Sequence, residues 1–166
     1  PYAETSQQLK QILEQVGTQS FITEDLGIFG TPKMEDFDIV VLNCVWWPCE
    51  QTEWYREFPE ASRVGLLKHL RLGKGLLALH AATICFDDWP EWRKILGAWW
   101  EWGVSGPAPF TKHRMKLRAY QNPIIVGFAD FDIIDELYTS PQITDTVDPL
   151  IVAEWDGVEH PMLWVQ

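Results

Sequence analysis

Apolar residues recur at Leu9, Ile12, Leu13 and Val16, the three-and-four spacing of one helical face, and predict a helix over residues 5–16. Thr5 and Gln8 form a capping box at its start and Gly17 supplies the stop. Ser20 to Thr23 then reads as a short strand. Residues 38–43 enclose Ile39, Val40, Val41 and Leu42, a bounded apolar run of the kind seen in parallel strands buried on both faces. No clear period follows over residues 44–60, where Trp46, Trp47, Pro48, Trp54, Tyr55, Phe58 and Pro59 predict a long aromatic loop. Ser62 can cap a helix that buries Val64, Leu66, Leu67 and Leu70, keeps His69 at the surface and stops at Gly73. Gly75 to Leu79 is another apolar strand. A third helix starts with Asp88 as N-cap, has Pro90 in its first turn and Glu91 three residues past the cap, and ends at Gly97.

Strand, helix and strand in alternation predict an α/β fold with a mostly parallel central sheet. Beyond Gly103 the pattern changes. Ser105 to Pro109 is a Gly/Pro turn, and Met115, Leu117 and Ala119 alternate with Arg114, Lys116 and Arg118 as in a half-solvated, antiparallel strand. Asn122-Pro123 breaks the chain, an acidic cluster lies between Phe128 and Tyr138, and residues 149–155 and 162–165 read as two late strands.

A length of 166 residues suggests one domain over 1–166, and 46% apolar residues suffice for a core without metal or disulfide staples. Thirteen basic against 24 acidic residues give a net charge of −11, which repels phosphate backbones, so no nucleic-acid partner is expected. No apolar run reaches the roughly 20 residues of a membrane helix, so no membrane partner is expected either. Cys44, Cys49 and Cys85 are odd in number and lack Cys-x-x-Cys spacing, which predicts reduced thiols and a cytoplasmic setting. Of the ten tryptophans, Trp46, Trp47 and Trp54 form one group and Trp99, Trp100 and Trp102 another. The second group could cover a partner surface, so a homo-oligomer is among the expectations.

Ligands of open α/β sheets bind beyond the carboxyl ends of the strands, which draws attention to His80. Small residues follow it in His80-Ala-Ala-Thr83, permitting a sharp turn that displays a reactive side chain. The competing reading is an imidazole that satisfies a backbone carbonyl at the strand end. Asp130, Asp132, Asp135 and Glu136 lack calcium-loop spacing, and only Asp135 and Glu136, beside Tyr138, stand out as pocket elements. His69, His80, His113 and His160 make no zinc signature, so no metal is expected.

Three blocks together resemble the ThuA-like, or trehalose-utilisation, family: Gly75 to Thr83 with Phe86 and Trp89, Asn122-Pro123 through Asp135-Glu-Leu-Tyr138, and His160-Pro161 with Trp164-Val165. The resemblance runs from about Ile39 to Val165. It implies a flavodoxin-like, class I glutamine amidotransferase-like three-layer sandwich, here expected to lack its first and last strands. It also implies a role in disaccharide or keto-sugar catabolism, with a small-molecule carbohydrate as partner and no cofactor. Glutaminase activity is not expected, because His80 stands where amidotransferases of this fold carry a nucleophilic cysteine and no Gly-x-Cys-x-Gly surrounds Cys85. On this reading His80 is the general acid/base and Glu136 its partner, while Trp89, Ser105, Asp135, Tyr138 and His160 bind substrate. The family commonly has a histidine after the serine near Ser105 and another where this chain has Asn122, so the pocket is altered or residues near Gly106 are missing. Those differences keep a noncatalytic sugar-binding or interaction domain in view. A metal-dependent hydrolase using His80, His160 and a carboxylate is a third reading.

Overall fold

The computed structural model describes residues 3–46 and 57–166, which form two compact units, one running to Asp88 and the other beginning at Trp89. The predicted aromatic loop falls mostly on residues 47–56, outside the described residues, as does Cys49.

The first unit opens with α1 (Ala3–Gln15), one turn earlier than the Thr5 capping box predicts, and ends before Gly17 at φ +89°. Its apolar stripe is only partly covered: Ile12 is 58% exposed and Val16 76%. The expected strand at Ser20–Thr23 does not form, and no neighbouring strand among the described residues completes backbone hydrogen bonds there. Two short 3-10 turns (Leu26–Gly30 and Pro32–Asp36) lead to β1 (Ile39–Leu42). Next come α2 (Glu60–Arg71) and β2 (Gly75–Ala78), and β2 pairs parallel with β1 from Ile39↔Gly75 to Leu42↔Ala78.

The helix α2 departs from its predicted details in two ways. Ser62 does not cap it; the side chain is buried one turn inside and donates from Oγ to the Leu26 carbonyl at 2.8 Å. His69 is not at the surface but 3% exposed, with Nε2 3.2 Å from the Gly75 carbonyl oxygen, whereas Val64, expected in the core, faces solvent. The inward stripe is therefore Ser62, Leu66 and His69, a polar–apolar mixture that hydropathy spacing cannot pick out.

In the second unit α3 (Pro90–Leu96) has Trp89 as its N-cap residue, with no side-chain cap bond, and closes on Gly97 at φ +72°. Asp88, the predicted cap, belongs to the first unit and pairs instead with Arg63. Short strands β3 (Ala98–Trp99) and β4 (Gly106–Pro107) precede the long strand β5 (Thr111–Leu117). Then follow β6 (Phe131–Asp135), β7 (Tyr138–Thr139), β8 (Gln142–Ile143), β9 (Asp148–Trp155) and β10 (Val158–Val165). The strands β10, β9, β5 and β6 lie side by side in that order, every pair antiparallel. Two-stranded antiparallel ladders join β3 to β8 and β4 to β7.

The expectation of a mostly parallel central sheet is thus corrected: among the described residues only β1 and β2 pair in parallel. The physical reason lies in the connections. Asp156 (φ +51°) and Gly157 (φ +75°) form a two-residue turn with positive φ at both centres, which folds β10 directly back on β9. Only an antiparallel neighbour can be reached by so short a link. The predicted alternation of β5 holds, with Met115 and Leu117 buried against Leu150, Ile151 and Ala153 while Arg114 faces solvent. No helix among the described residues is long and apolar enough to cross a membrane.

Candidate functional site

In the first unit β2 ends at Ala78, Leu79 stays extended, and the chain turns at His80 into a 3-10 turn (His80–Ile84). His80 has φ +48°, a left-handed conformation that costs a residue with a Cβ roughly 1–2 kcal/mol. The turn that holds it there is tightly tied. The Ala82 N–H donates to the Leu79 carbonyl at 2.9 Å, and Thr83 Oγ1 donates to the His80 carbonyl at 2.9 Å. Ala81 and Ala82 are buried at 3% and 0%, so only small side chains fit beneath, while the His80 side chain stands on the exposed side.

An aromatic cluster follows the elbow in the chain, built on Phe86. The Phe86 ring stacks on Phe58 with centroids 4.3 Å apart and lies 5.4 Å from Trp46, and Phe58 meets Phe29 edge-on at 5.5 Å. Arg63 anchors Phe58 by donating from Nε to its carbonyl at 2.7 Å. The His80 elbow thus places an exposed imidazole on a left-handed backbone just past the carboxyl end of a parallel strand, the edge where ligands of α/β sheets bind.

The other candidate residues belong to the second unit. Ser105 Oγ donates to the Ser140 carbonyl at 2.8 Å and accepts the Glu101 N–H at 2.9 Å. The Ser140 N–H in turn donates to His160 Nδ1 at 3.1 Å, so Ser105 and His160 are joined through one backbone residue, itself at φ +52°. Tyr138 lies edge-on to Trp100 with centroids 4.9 Å apart. Asp135 Oδ1 accepts the N–H of Glu136 at 2.9 Å, which turns the carboxylate back on its own chain. Glu136 is half-buried beside the buried Leu137. Trp89 is not displayed as a platform; it is 5% exposed and stacks on Trp92 at 6.3 Å.

His160 is 6% exposed, and this burial holds its pKa below the ordinary histidine value, with the Trp155 backbone opposing the shift in part. Proton uptake at Nδ1 would also cost the bond from Ser140. The unfolded chain therefore binds the proton more readily, and the stability contributed is present above about pH 6.5 and lost as pH falls through the lower folded value. In an NMR titration the His160 ring is expected to show a midpoint below about 6.5; a midpoint at or above that value would contradict the burial. An open groove of about 620 Å³ runs beside this ring, with Arg118, Ser140, Ile143, Val152 and Pro161 in its walls.

Two features of the second unit escape sequence reasoning. Glu101 Oε2 accepts Trp99 Nε1 at 3.0 Å and pairs with Arg93 at 3.3 Å, so Trp99 is held by a buttress that no motif announces. Ser140 carries no signal beyond following Tyr138-Thr139. Asn122, where a histidine is usual in the resembling family, shapes a turn by accepting the Ile124 N–H at 3.0 Å. No group of three or more His, Cys, Asp or Glu side chains among the described residues is placed to hold a metal ion.

Comparison with known proteins decides the relationship. The family profile for ThuA, described as trehalose utilisation, matches residues 1–166. The chain belongs to the ThuA family. Its fold is similar to that of a ThuA-like protein from Parabacteroides merdae ATCC 43184, with a TM-score of 0.71 and 20% identity over 90% of this chain. A ThuA-like protein from Bacteroides uniformis ATCC 8492 gives a TM-score of 0.75 and 17% identity over 98% of this chain. The ThuA-family chain spans 62% of the length of the first and 69% of the second. No curated protein matches it.

Proposed function

We propose that this ThuA-family chain is a domain of a carbohydrate enzyme acting on a disaccharide or keto-sugar, with His80 as general acid/base and no glutaminase activity. The observation that carries the reading is the backbone of His80: φ +48° at the exposed tip of a strand-to-3-10 elbow. Strain of this kind persists where the surroundings enforce it, and it concentrates at sites where a side chain must be presented. The family description supports a carbohydrate as the ligand class.

Glutamine hydrolysis needs a nucleophile at the elbow, and there the chain has an imidazole. Cys85 is instead the residue closing the 3-10 turn and is 1% exposed. Glu136 is proposed as a carboxylate acid/base and Ser105, Asp135, Tyr138 and His160 as substrate-binding residues, all of them in the second unit. Ser105 Oγ is bonded to Glu101 and Ser140, and His160 Nδ1 to Ser140, so the proposed contribution of both residues to binding is to hold the local backbone in place.

The test is a screen of disaccharides and their keto derivatives against the full-length protein, followed by NMR of the histidine rings. A sugar that binds is expected to move the His80 ring resonances and to be turned over. Binding that leaves those resonances unmoved, without turnover, would instead favour a sugar-binding domain.

A further inference from the structure

Cys44 lies two residues past β1 and Cys85 directly after the 3-10 turn that begins at His80, 41 residues apart in sequence. Their sulfur atoms are 3.8 Å apart and both are free thiols. We infer that Cys44 and Cys85 form a reversible dithiol–disulfide pair, oxidised by a peroxide, that ties the carboxyl end of β1 to the His80 elbow.

Three observations support the pairing. A disulfide brings sulfurs to about 2.04 Å, so the pair must close by less than 2 Å, a distance that side-chain rotation and a small backbone shift can supply. The Cys85 sulfur is fixed in position: it accepts the Trp46 N–H at 3.2 Å and lies 3.5 Å from the Ala81 carbonyl oxygen. Access is unequal, since Cys85 is 1% exposed while Cys44 is half-buried, so a small oxidant meets Cys44 first. The hydrogen bond with Cys85, then burial, pushes the Cys44 thiol up, so its attack on peroxide is slow.

The chemistry balances with one peroxide. The Cys44 sulfur, having given up its proton, attacks the O–O bond; hydroxide leaves, takes that proton and departs as water, and Cys44 becomes a sulfenic acid. The Cys85 sulfur then attacks the Cys44 sulfur, the S–O bond breaks, and the second water leaves with the Cys85 proton. Two thiols and one hydrogen peroxide thus give one disulfide and two waters.

The experiment treats the reduced full-length protein with stoichiometric hydrogen peroxide, then counts thiols and maps peptides without reduction. The titre is expected to fall from three thiols per chain to one, with a peptide joining Cys44 to Cys85 that dithiothreitol releases. Cys49→Ser should form the same link, and neither Cys44→Ser nor Cys85→Ser should form any link. Amide hydrogen exchange over residues 80–86 is expected to slow several-fold in the oxidised form. A link through Cys49, a link between chains, or a sulfinic acid at Cys44 with Cys85 still reduced would overturn the pairing. Unchanged exchange over 80–86 would overturn the tie to the elbow. None of these readouts depends on a sugar substrate, so the inference stands or falls apart from the proposed activity.

Discussion

Replacing His80 by Asn is expected to lower turnover of the sugar substrate by about a hundred- to ten-thousand-fold, the usual contribution of a positioned acid/base group. Asparagine tolerates the left-handed backbone better than most residues, so the elbow keeps its shape while the imidazole is lost. The melting temperature should therefore change little. His80→Gly offers a second check, because glycine relieves the strain at φ +48° at some cost in chain entropy and should also leave stability nearly level. Circular dichroism and turnover measured on the same preparations separate the two effects. If either variant keeps full activity, the imidazole is not the acid/base, and a role as a backbone tether becomes the better account of this residue.

Gly65→Ala is expected to destabilise the protein by roughly 3 kcal/mol or more, among the larger effects of a single added methyl. Gly65 sits on α2 where the helix crosses the 3-10 turn Leu26–Gly30, one turn from the Ser62 bond to Leu26. A Cβ there would fall 1.7 Å from the Phe29 carbonyl oxygen and 2.6 Å from its carbon. Both atoms are backbone, so neither can swing aside. Relief requires the helix to back away from the turn, which opens the packing around Leu66, now fully buried, and around Phe29. For a chain of this size the expected fall in melting temperature is about 6–12 °C. Val64→Ala, next to it but 57% exposed, should change stability by less than about 0.5 kcal/mol and serves as the control. A Gly65→Ala protein that melts like the parent would mean that the helix does not approach the turn so closely.

Much of the local structure could be read from spacing alone. The alternation along Arg114 to Ala119 encodes a half-buried strand because successive side chains of a strand point to opposite faces. Gly73 and Gly97 mark where α2 and α3 stop, since each adopts a positive φ that glycine takes at low cost. The turn after Gly75 to Leu79 was legible as well, because His80 is followed by small residues that let the chain bend sharply. Asp156-Gly157 was an available hairpin signal, and reading it would have exposed the antiparallel sheet in advance.

What the sequence determined by itself is therefore the three helices with their glycine stops, the paired apolar strands β1 and β2, the alternation of β5, and an exposed histidine after β2. Tertiary structure decided which strands became neighbours, that His69 and Trp89 went inside, and that Ser62 bonds across to Leu26. It also brought Cys44 and Cys85 to 3.8 Å, where spacing rules for cysteine pairs had seen nothing. The reason is one of range. Caps, turns and periodicity are energies of residues a few positions apart, whereas pairing and burial depend on contacts between distant segments, whose free energies no single stretch of chain contains.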